Sequence, residues 1–275
     1  MKRRTLLRLT GASIGAAFPS LIGASVSGCL DGASGGTTGQ RIRLAARAEL
    51  ASPLAFETSL GLAVTLERVL VSIGSLTYFA GAPLELAARG PTMQRRLLGL
   101  VLPRSAHAHP GHYVPGEARG ELLAPSSFDL ATGPVELGEG EGTTGLVRSA
   151  RLVLGDPPVG ALASELGSAV LAVVATLSQG ERSVRLRLEA KASALVGDDA
   201  VPEIDGCRFE ETTLDGDGAV VLAIDPRIWL EQVELDDTLV ADGEEPLLAP
   251  AESLASRAFV RGVQKTAGYH FRFEA

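Results

Sequence analysis

Three of the four histidines in the sequence lie within six residues, at His107, His109 and His112. Imidazole is the commonest transition-metal ligand, and these spacings let neighbouring rings reach one ion where the backbone turns between them. Pro110-Gly111 supplies such a turn. The cluster therefore indicates a zinc or copper site. A polar loop that leads into the next strand is the alternative, because a histidine-rich tract is a signal of composition alone.

A tetrahedral metal site needs a fourth ligand, for which the sequence offers two main candidates. His270 lies at an outward position of the last predicted strand, where a histidine is more often solvated. Met93 would supply a soft thioether and would favour copper. Glu117 and Glu121 are weaker candidates. The predicted metal ligands are therefore His107, His109, His112, His270 and Met93.

An enzymatic use of the cluster is less favoured than simple binding. The His-x-His pair is similar to the metal motif of cupins, but the glutamate that follows closely there is missing, since Glu117 comes later. The pair also resembles that of metal-dependent hydrolases built on α/β barrels, whose alternating strands and helices this chain lacks. A Ser-His-Asp pattern, a phosphate-binding glycine loop and a paired-cysteine motif are not evident. We expect a non-catalytic protein, with a metal-dependent hydrolase or oxidase as the alternative.

The first 29 residues read as an export and anchoring signal. A basic start, a mildly apolar middle and small residues at the end are typical of a secretory signal peptide. Arg3–Arg8 resembles the twin-arginine signal, which exports folded proteins. Val26–Cys29 resembles a bacterial lipobox, whose cysteine is lipidated and becomes the new N-terminus. We expect a signal peptide over 1–28, lipidation of Cys29 and a flexible linker over 29–40, with an uncut membrane anchor as the alternative.

Lipidation of Cys29 would leave Cys207 as the remaining cysteine, so the sequence predicts no intrachain disulfide. Leu30 occupies the position after the lipidated cysteine, and Asp31 comes one residue too late to act as an inner-membrane retention signal. The predicted location is therefore the bacterial cell envelope, as a periplasm-facing or cell-surface lipoprotein, with the choice between inner and outer membrane open.

Charge argues against a nucleic-acid partner. The 275 residues carry a net charge of −8, and the predicted signal peptide holds four of the 25 basic residues and no acidic ones. The processed chain would have 21 basic against 33 acidic residues, or a net charge near −12. A chain so acidic, with only 4% aromatic residues, lacks both the phosphate-binding charge and the stacking surfaces that nucleic-acid binding requires.

Period-two alternation of apolar and polar residues dominates from Arg41 onward and predicts strands. We expect one domain over 41–275, a mainly β fold built as an antiparallel β-sandwich of roughly ten or more strands with two or three short helices. Two hairpins are predicted, one pairing 168–177 with 184–190 and one pairing 208–214 with 219–224. The remaining predicted strands cover 41–50, 62–66, 69–79, 118–123, 135–137, 146–154 and 269–274.

Helices are expected at 91–102, after the cap-and-proline pair Asp225-Pro226, and over 250–264. Residues 234–249 are acidic and read as a long surface loop. Asp215–Gly218 resembles the start of a calcium loop, but Pro226 occupies the position of the last ligand, so a hairpin turn is the better interpretation. Trp229 and Cys207 are expected to be core residues.

The mature domain loosely resembles uncharacterised all-β envelope lipoproteins and, more distantly, the MbnP-type copper-binding periplasmic proteins. The resemblance depends on three features of the sequence, which are the segment 106–113, the strand pattern of 62–79, and the ending 259–262 with 269–271. It implies a binding role in the envelope, with copper as the metal, and names no individual ligands. The alternative function is a metal-free interaction or assembly module that binds an envelope protein or a glycan through strand edges and acidic loops.

Overall fold

Apolar residues alternate along most of the chain and build thirteen strands in the part that the computed structural model describes, which is residues 39–84, 113–196, 201–237, 239 and 245–275. In order, they are β1 (Arg41–Leu50), β2 (Ala55–Glu57), β3 (Ala63–Phe79), β4 (Ala118–Leu122), β5 (Ser126–Asp129), β6 (Val135–Thr143), β7 (Gly145–Leu154), β8 (Ala169–Gln179), β9 (Arg182–Lys191), β10 (Glu203–Leu214), β11 (Gly218–Ile224), β12 (Leu247–Leu248) and β13 (Tyr269–Glu274).

Three short α-helices accompany the strands in the described ranges, and they are α1 (Ala163–Leu166), α2 (Pro226–Leu230) and α3 (Leu254–Val263). Asp225 caps α2 by accepting a hydrogen bond from the backbone N–H of Arg227, and Pro226 takes the first helical position, as the sequence predicts. Ser253 caps α3 in the same way through the N–H of Ser256. The predicted helix over 91–102 lies outside the described residues.

The strands form one mixed sheet that returns on itself. Along the main path the order is β12-β9-β8-β3-β4-β6-β1-β11-β13-β10-β7, and β7 also pairs with β3. Eight strands, from β3 through β4 and round to β7, therefore make a closed circuit. Three pairings between the described strands are parallel, namely β1 with β11, β10 with β13, and β9 with β12.

Strand β3 joins the circuit to the rest of the sheet. Its first half pairs with β8. Its second half pairs with β7 on the same side as β8, and with β4 on the opposite side. A bulge between Leu66 and Arg68 separates the two segments that the sequence predicts as different strands. Because β3 runs through both regions, their inward side chains share one hydrophobic core, which includes Leu44, Tyr78 and Trp229.

The mainly β, sandwich-like class predicted from the sequence is confirmed. So is the hairpin of β8 and β9, whose turn contains Gly180 at a φ of 62°. The predicted hairpin of 208–214 with 219–224 is wrong, because β13 lies between β10 and β11 and pairs with both. The predicted loop over 234–249 also contains the two-residue strand β12, which pairs with β9.

No helix in the described part of the chain is long and apolar enough to cross a membrane.

Candidate functional site

Most of the predicted metal ligands, His107, His109, His112 and Met93, lie outside the described residues, as does Cys29. The described chain stops at Leu84 and resumes at Tyr113, directly after His112. The structure therefore shows where the chain lies just before residue 85 and just after His112.

The two flanks of residues 85–112 are held together. The N–H of Gly81 donates to the carbonyl of Pro115 at 2.8 Å, and the N–H of Ala80 donates to the carbonyl of Glu117 at 2.9 Å. A Cβ at position 81 would lie 2.3 Å from the Pro115 oxygen, so this approach requires glycine. Residues 80–81, before this segment, and residues 115–117, after it, are thus hydrogen-bonded to each other at one place.

Tyr113 is fixed by a short chain of hydrogen bonds. Its phenol oxygen lies 2.7 Å from the hydroxyl oxygen of Ser149, which in turn donates to the carbonyl of Gly81 at 2.8 Å. Because the single hydroxyl proton of Ser149 is used on Gly81, Tyr113 must be the donor to Ser149. Burial raises the pKa of Tyr113 to about 12, so the phenol keeps its proton at neutral pH.

Ser149 belongs to a row of directly opposed residues that also contains His270. Arg208 of β10 pairs with Ser149 of β7 on one side and with His270 of β13 on the other. The row continues through Ala223 of β11 to Glu49 of β1. Neighbouring strands lie about 4.8 Å apart, so Ser149 and His270 are separated by about 10 Å. We call these five residues the histidine row.

His270 is exposed, as the alternation of the last strand predicts. It borders a cavity of about 210 Å³ whose lining includes the small side chain of Ala223. Arg272 bonds to Glu49 at 2.9 Å and to Glu274 at 3.2 Å. Arg208 and Glu210, by contrast, form no ion pair within the described ranges.

The described residues do not form a metal site by themselves. Among them, no three His, Cys, Asp or Glu side chains gather in a group that could hold an ion. Glu117 is paired with Arg119 at 2.9 Å, and Glu121 is exposed beside a separate cavity on β4 and β6. His270 thus lies in one row with the partner of Tyr113, whereas Glu117 and Glu121 lie outside that row.

Cys207 and Trp229 are core residues, as the sequence predicts. The Cys207 thiol is fully buried and lies 3.4 Å from the carbonyl oxygen of Ile204. Burial raises its pKa well above the usual range, which keeps it in the unreactive thiol form. Trp229 is also fully buried, with Phe259 and Tyr269 against its ring.

The interpretation of residues 215–218 as a turn is correct in position, since β10 ends at Leu214 and β11 begins at Gly218. Asp217 faces Arg43, whose backbone N–H donates to it at 2.7 Å. The turn does not close a hairpin, however, because the strands on either side are separated by β13.

Reasoning from the sequence missed that Arg208 lies beside His270 and that Ser149 lies one strand further along the same row. Each is remote from His270 in the sequence, and no local pattern indicates that β10 and β13 lie side by side. The predicted pairing of β10 with β11 would in fact have placed a different residue beside Arg208.

Comparison with protein-family models, curated proteins and solved structures gives no match to this chain.

Proposed function

We propose that the protein is a lipid-anchored binding protein of the bacterial cell envelope that holds one transition-metal ion, copper or zinc, through His107, His109 and His112. It acts without catalysis. The sequence supports the location through the twin-arginine and lipobox patterns that end at Cys29, and it supports the metal through the spacing of the three histidines.

The observation that carries the proposal is the position of Tyr113. This residue follows His112 directly and is hydrogen-bonded to Ser149, about 10 Å across the histidine row from His270. Tyr113 is thereby tied to the face of the sheet on which the fourth histidine lies. His270 is the ligand that the β scaffold contributes in this proposal, and Met93 remains the candidate soft ligand if the metal is copper.

The surroundings of His270 suit such a role. Its ring is exposed, and Ala223 beside it leaves open space. Arg208 lies between His270 and Ser149 and would repel a cation, but it is exposed and held by no ion pair in the described chain, so its long side chain can turn away. Glu210 lies two residues further along β10 and offers a compensating negative charge.

Four protein ligands would fill a tetrahedral site and leave no open position for substrate, which is the arrangement of a binding or structural site. Cobalt(II) substitution tests this in tag-free protein, because its visible absorption reports coordination number and ligand type. The proposal predicts a tetrahedral spectrum that weakens in His270→Ala and is lost in the triple variant His107→Ala/His109→Ala/His112→Ala. An octahedral spectrum in wild type that no histidine variant alters would overturn it.

A second function, an interaction module for an envelope protein, is favoured by the terminal strand β12. It has two residues and pairs on one side with β9, and Leu248 is 54% exposed. Leu254, at the start of α3, is exposed to the same extent. Apolar side chains beside an open strand edge are typical of surfaces that accept a further strand. In this case partner binding would be lost in Leu248→Lys and would be unaffected in the triple histidine variant.

A further inference from the structure

A cavity in the described chain lies on the outward side of β4 and β6, away from the histidine row. It has a volume of about 290 Å³, and its lining includes the charged residues Arg41, Arg119, Glu121 and Glu141 together with Thr143. Ligand pockets for drug-sized molecules are usually ~300–1,000 Å³, so this cleft suits a small ligand. We call it the β4–β6 cleft.

Strand register sorts the side chains of the cleft into two rows by charge. Arg41 of β1 pairs directly with Thr143 of β6. On the other side of β6, Gly142 pairs with Gly120 of β4, so one step along the antiparallel strands Arg119 lies opposite Thr143. Glu121 pairs with Glu141 and forms the second row. Two residues along a strand span about 7 Å, so a row of hydrogen-bond donors and an acidic row lie about 7 Å apart.

The arginine of β4 is held in place. Arg119 bonds to Glu117 at 2.9 Å, and only 17% of its side chain is exposed. Its guanidinium lies against Gly145, where a Cβ would come within 2.8 Å of the central guanidinium carbon. Gly145 also has a φ of 145°, which other residues rarely adopt. Glycine is therefore needed here both for the backbone and for the space that the guanidinium occupies.

The remaining charges of the cleft form no ion pairs with other described residues. Arg41 is exposed and takes part in no ion pair with any described residue. Glu121 and Glu141 are both exposed and directly opposed, and neither forms an ion pair with a described residue. Arg43 opposes Glu141 from β1, but it is paired with Asp217 at 3.6 Å. Like charges at directly opposed positions repel each other, so a cation between the two carboxylates would remove an unfavourable interaction.

We propose that the β4–β6 cleft binds a small zwitterion whose oxyanion lies on the Arg41–Thr143–Arg119 row and whose primary ammonium lies between Glu121 and Glu141. The matching chemistry is an aminoalkyl phosphate, in which a short alkyl chain joins the two charged groups. The guanidinium groups donate to the phosphate oxygens, and the carboxylates accept from the ammonium. Neither a simple phosphate nor a simple amine satisfies both rows.

Titration of the Cys29→Ala protein with phosphoethanolamine, followed by calorimetry, tests the proposal. Binding should be at least about tenfold tighter than that of inorganic phosphate or ethanolamine alone. It should weaken at least about tenfold in Arg41→Gln and in Glu121→Gln. Arg257→Gln on α3 and Glu139→Gln on β6 are the matched controls, since both positions are exposed and lie outside the cleft; they should leave binding unchanged.

The same ligand chemistry occurs in phosphatidylethanolamine headgroups, and vesicles distinguish the two sources. If the natural ligand is a headgroup, the Cys29→Ala protein will bind phosphatidylethanolamine vesicles but not phosphatidylcholine vesicles, and Arg41→Gln will abolish that binding. If the ligand is a free zwitterion, phosphoethanolamine will bind and both kinds of vesicle will fail. Binding to neither probe, or equal binding in wild type and the two cleft variants, would overturn the proposal.

Discussion

Tyr113 donates its phenol proton to Ser149 across 2.7 Å, and this contact fixes where the chain emerges after the histidine cluster. Ser149 lies in the same cross-strand row as His270. Tyr113 is more than 150 residues from His270 in the sequence, yet its partner Ser149 lies only two strands away from His270. The contact lies within the fold itself, so it can be removed without touching any proposed ligand.

Tyr113→Phe removes that hydrogen bond and keeps the ring. We expect the free energy of unfolding to fall by about 1 kcal/mol, and metal affinity to fall by several-fold while stoichiometry is preserved, because the ligands remain and only their anchorage loosens. Denaturant unfolding and metal titration measure the two effects. Tyr78→Phe is the matched control, since the buried Tyr78 hydroxyl has no hydrogen-bond partner among the described residues, and its removal should leave both quantities unchanged or slightly improved. Equal effects of the two substitutions would contradict the anchoring role.

The stability of the protein should depend on pH through Asp225. Burial raises the pKa of this carboxyl, but hydrogen bonds from Arg227 outweigh burial, so the pKa lies below its ordinary value. A carboxyl with a lowered folded-state pKa stabilises the fold above its unfolded pKa, and this contribution is lost as pH falls through the folded pKa. We expect the free energy of unfolding to decline below about pH 4.

Asp225→Asn isolates the charge, because asparagine also caps helices well. In urea unfolding between pH 7 and pH 3, the variant should be less stable than wild type at pH 7, and the difference should shrink as the pH falls. A difference that stays constant over this range would show that the carboxylate charge has no part in the effect.

Gly262 should tolerate no larger residue. It lies in α3, and a Cβ there would be 2.3 Å from the carbonyl oxygen of Trp229. Gly262→Ala should therefore destabilise the protein by about 1–3 kcal/mol despite the better helix propensity of alanine. Gly216→Ala is the control, because no atom of the described chain lies within 4 Å of a Cβ at that position, and it should change stability by less than about 0.5 kcal/mol. Equal denaturation midpoints for the two variants would refute the packing of α3 against α2.

The proposed anchor is tested by Cys29→Ala. This substitution removes the acceptor of the lipid, so the protein should move from the membrane fraction to the soluble fraction of the cell envelope. Fractionation followed by immunoblotting measures the change. Cys207→Ala is the control and should leave the distribution as in wild type, since Cys207 is buried in the core. A Cys29→Ala protein that stays with the membrane would contradict lipid anchoring.

Local patterns predicted the parts of the fold that depend on neighbouring residues. The hairpin of β8 and β9 follows from two alternating segments and a glycine turn, and the capped start of α2 follows from Asp225-Pro226. The pairing of β10 could not be found in this way. Its partner β13 comes from the end of the chain. A turn at 215–218 followed by a strand has the same local sequence pattern whether β10 and β11 pair directly or a third strand lies between them.

The same limit applies to the two sites. The sequence indicates that His270 is outward, but only the pairing of β13 with β10 and of β10 with β7 places it in one row with Ser149. The β4–β6 cleft has no sequence signature, because its charges come from three strands whose order along the sheet differs from their order along the chain. Composition showed the histidines, and tertiary pairing was needed to show what lies beside His270.

The most direct test of the proposed function is the metal content of tag-free protein after equilibration with copper or zinc and removal of the unbound ion. The proposal predicts one equivalent of metal per chain in wild type, and none in His107→Ala/His109→Ala/His112→Ala at the same free-metal concentration. Circular dichroism should show the same folded β structure in both proteins. Wild type without stoichiometric metal, or a triple variant that retains the same metal with the same affinity, would contradict it.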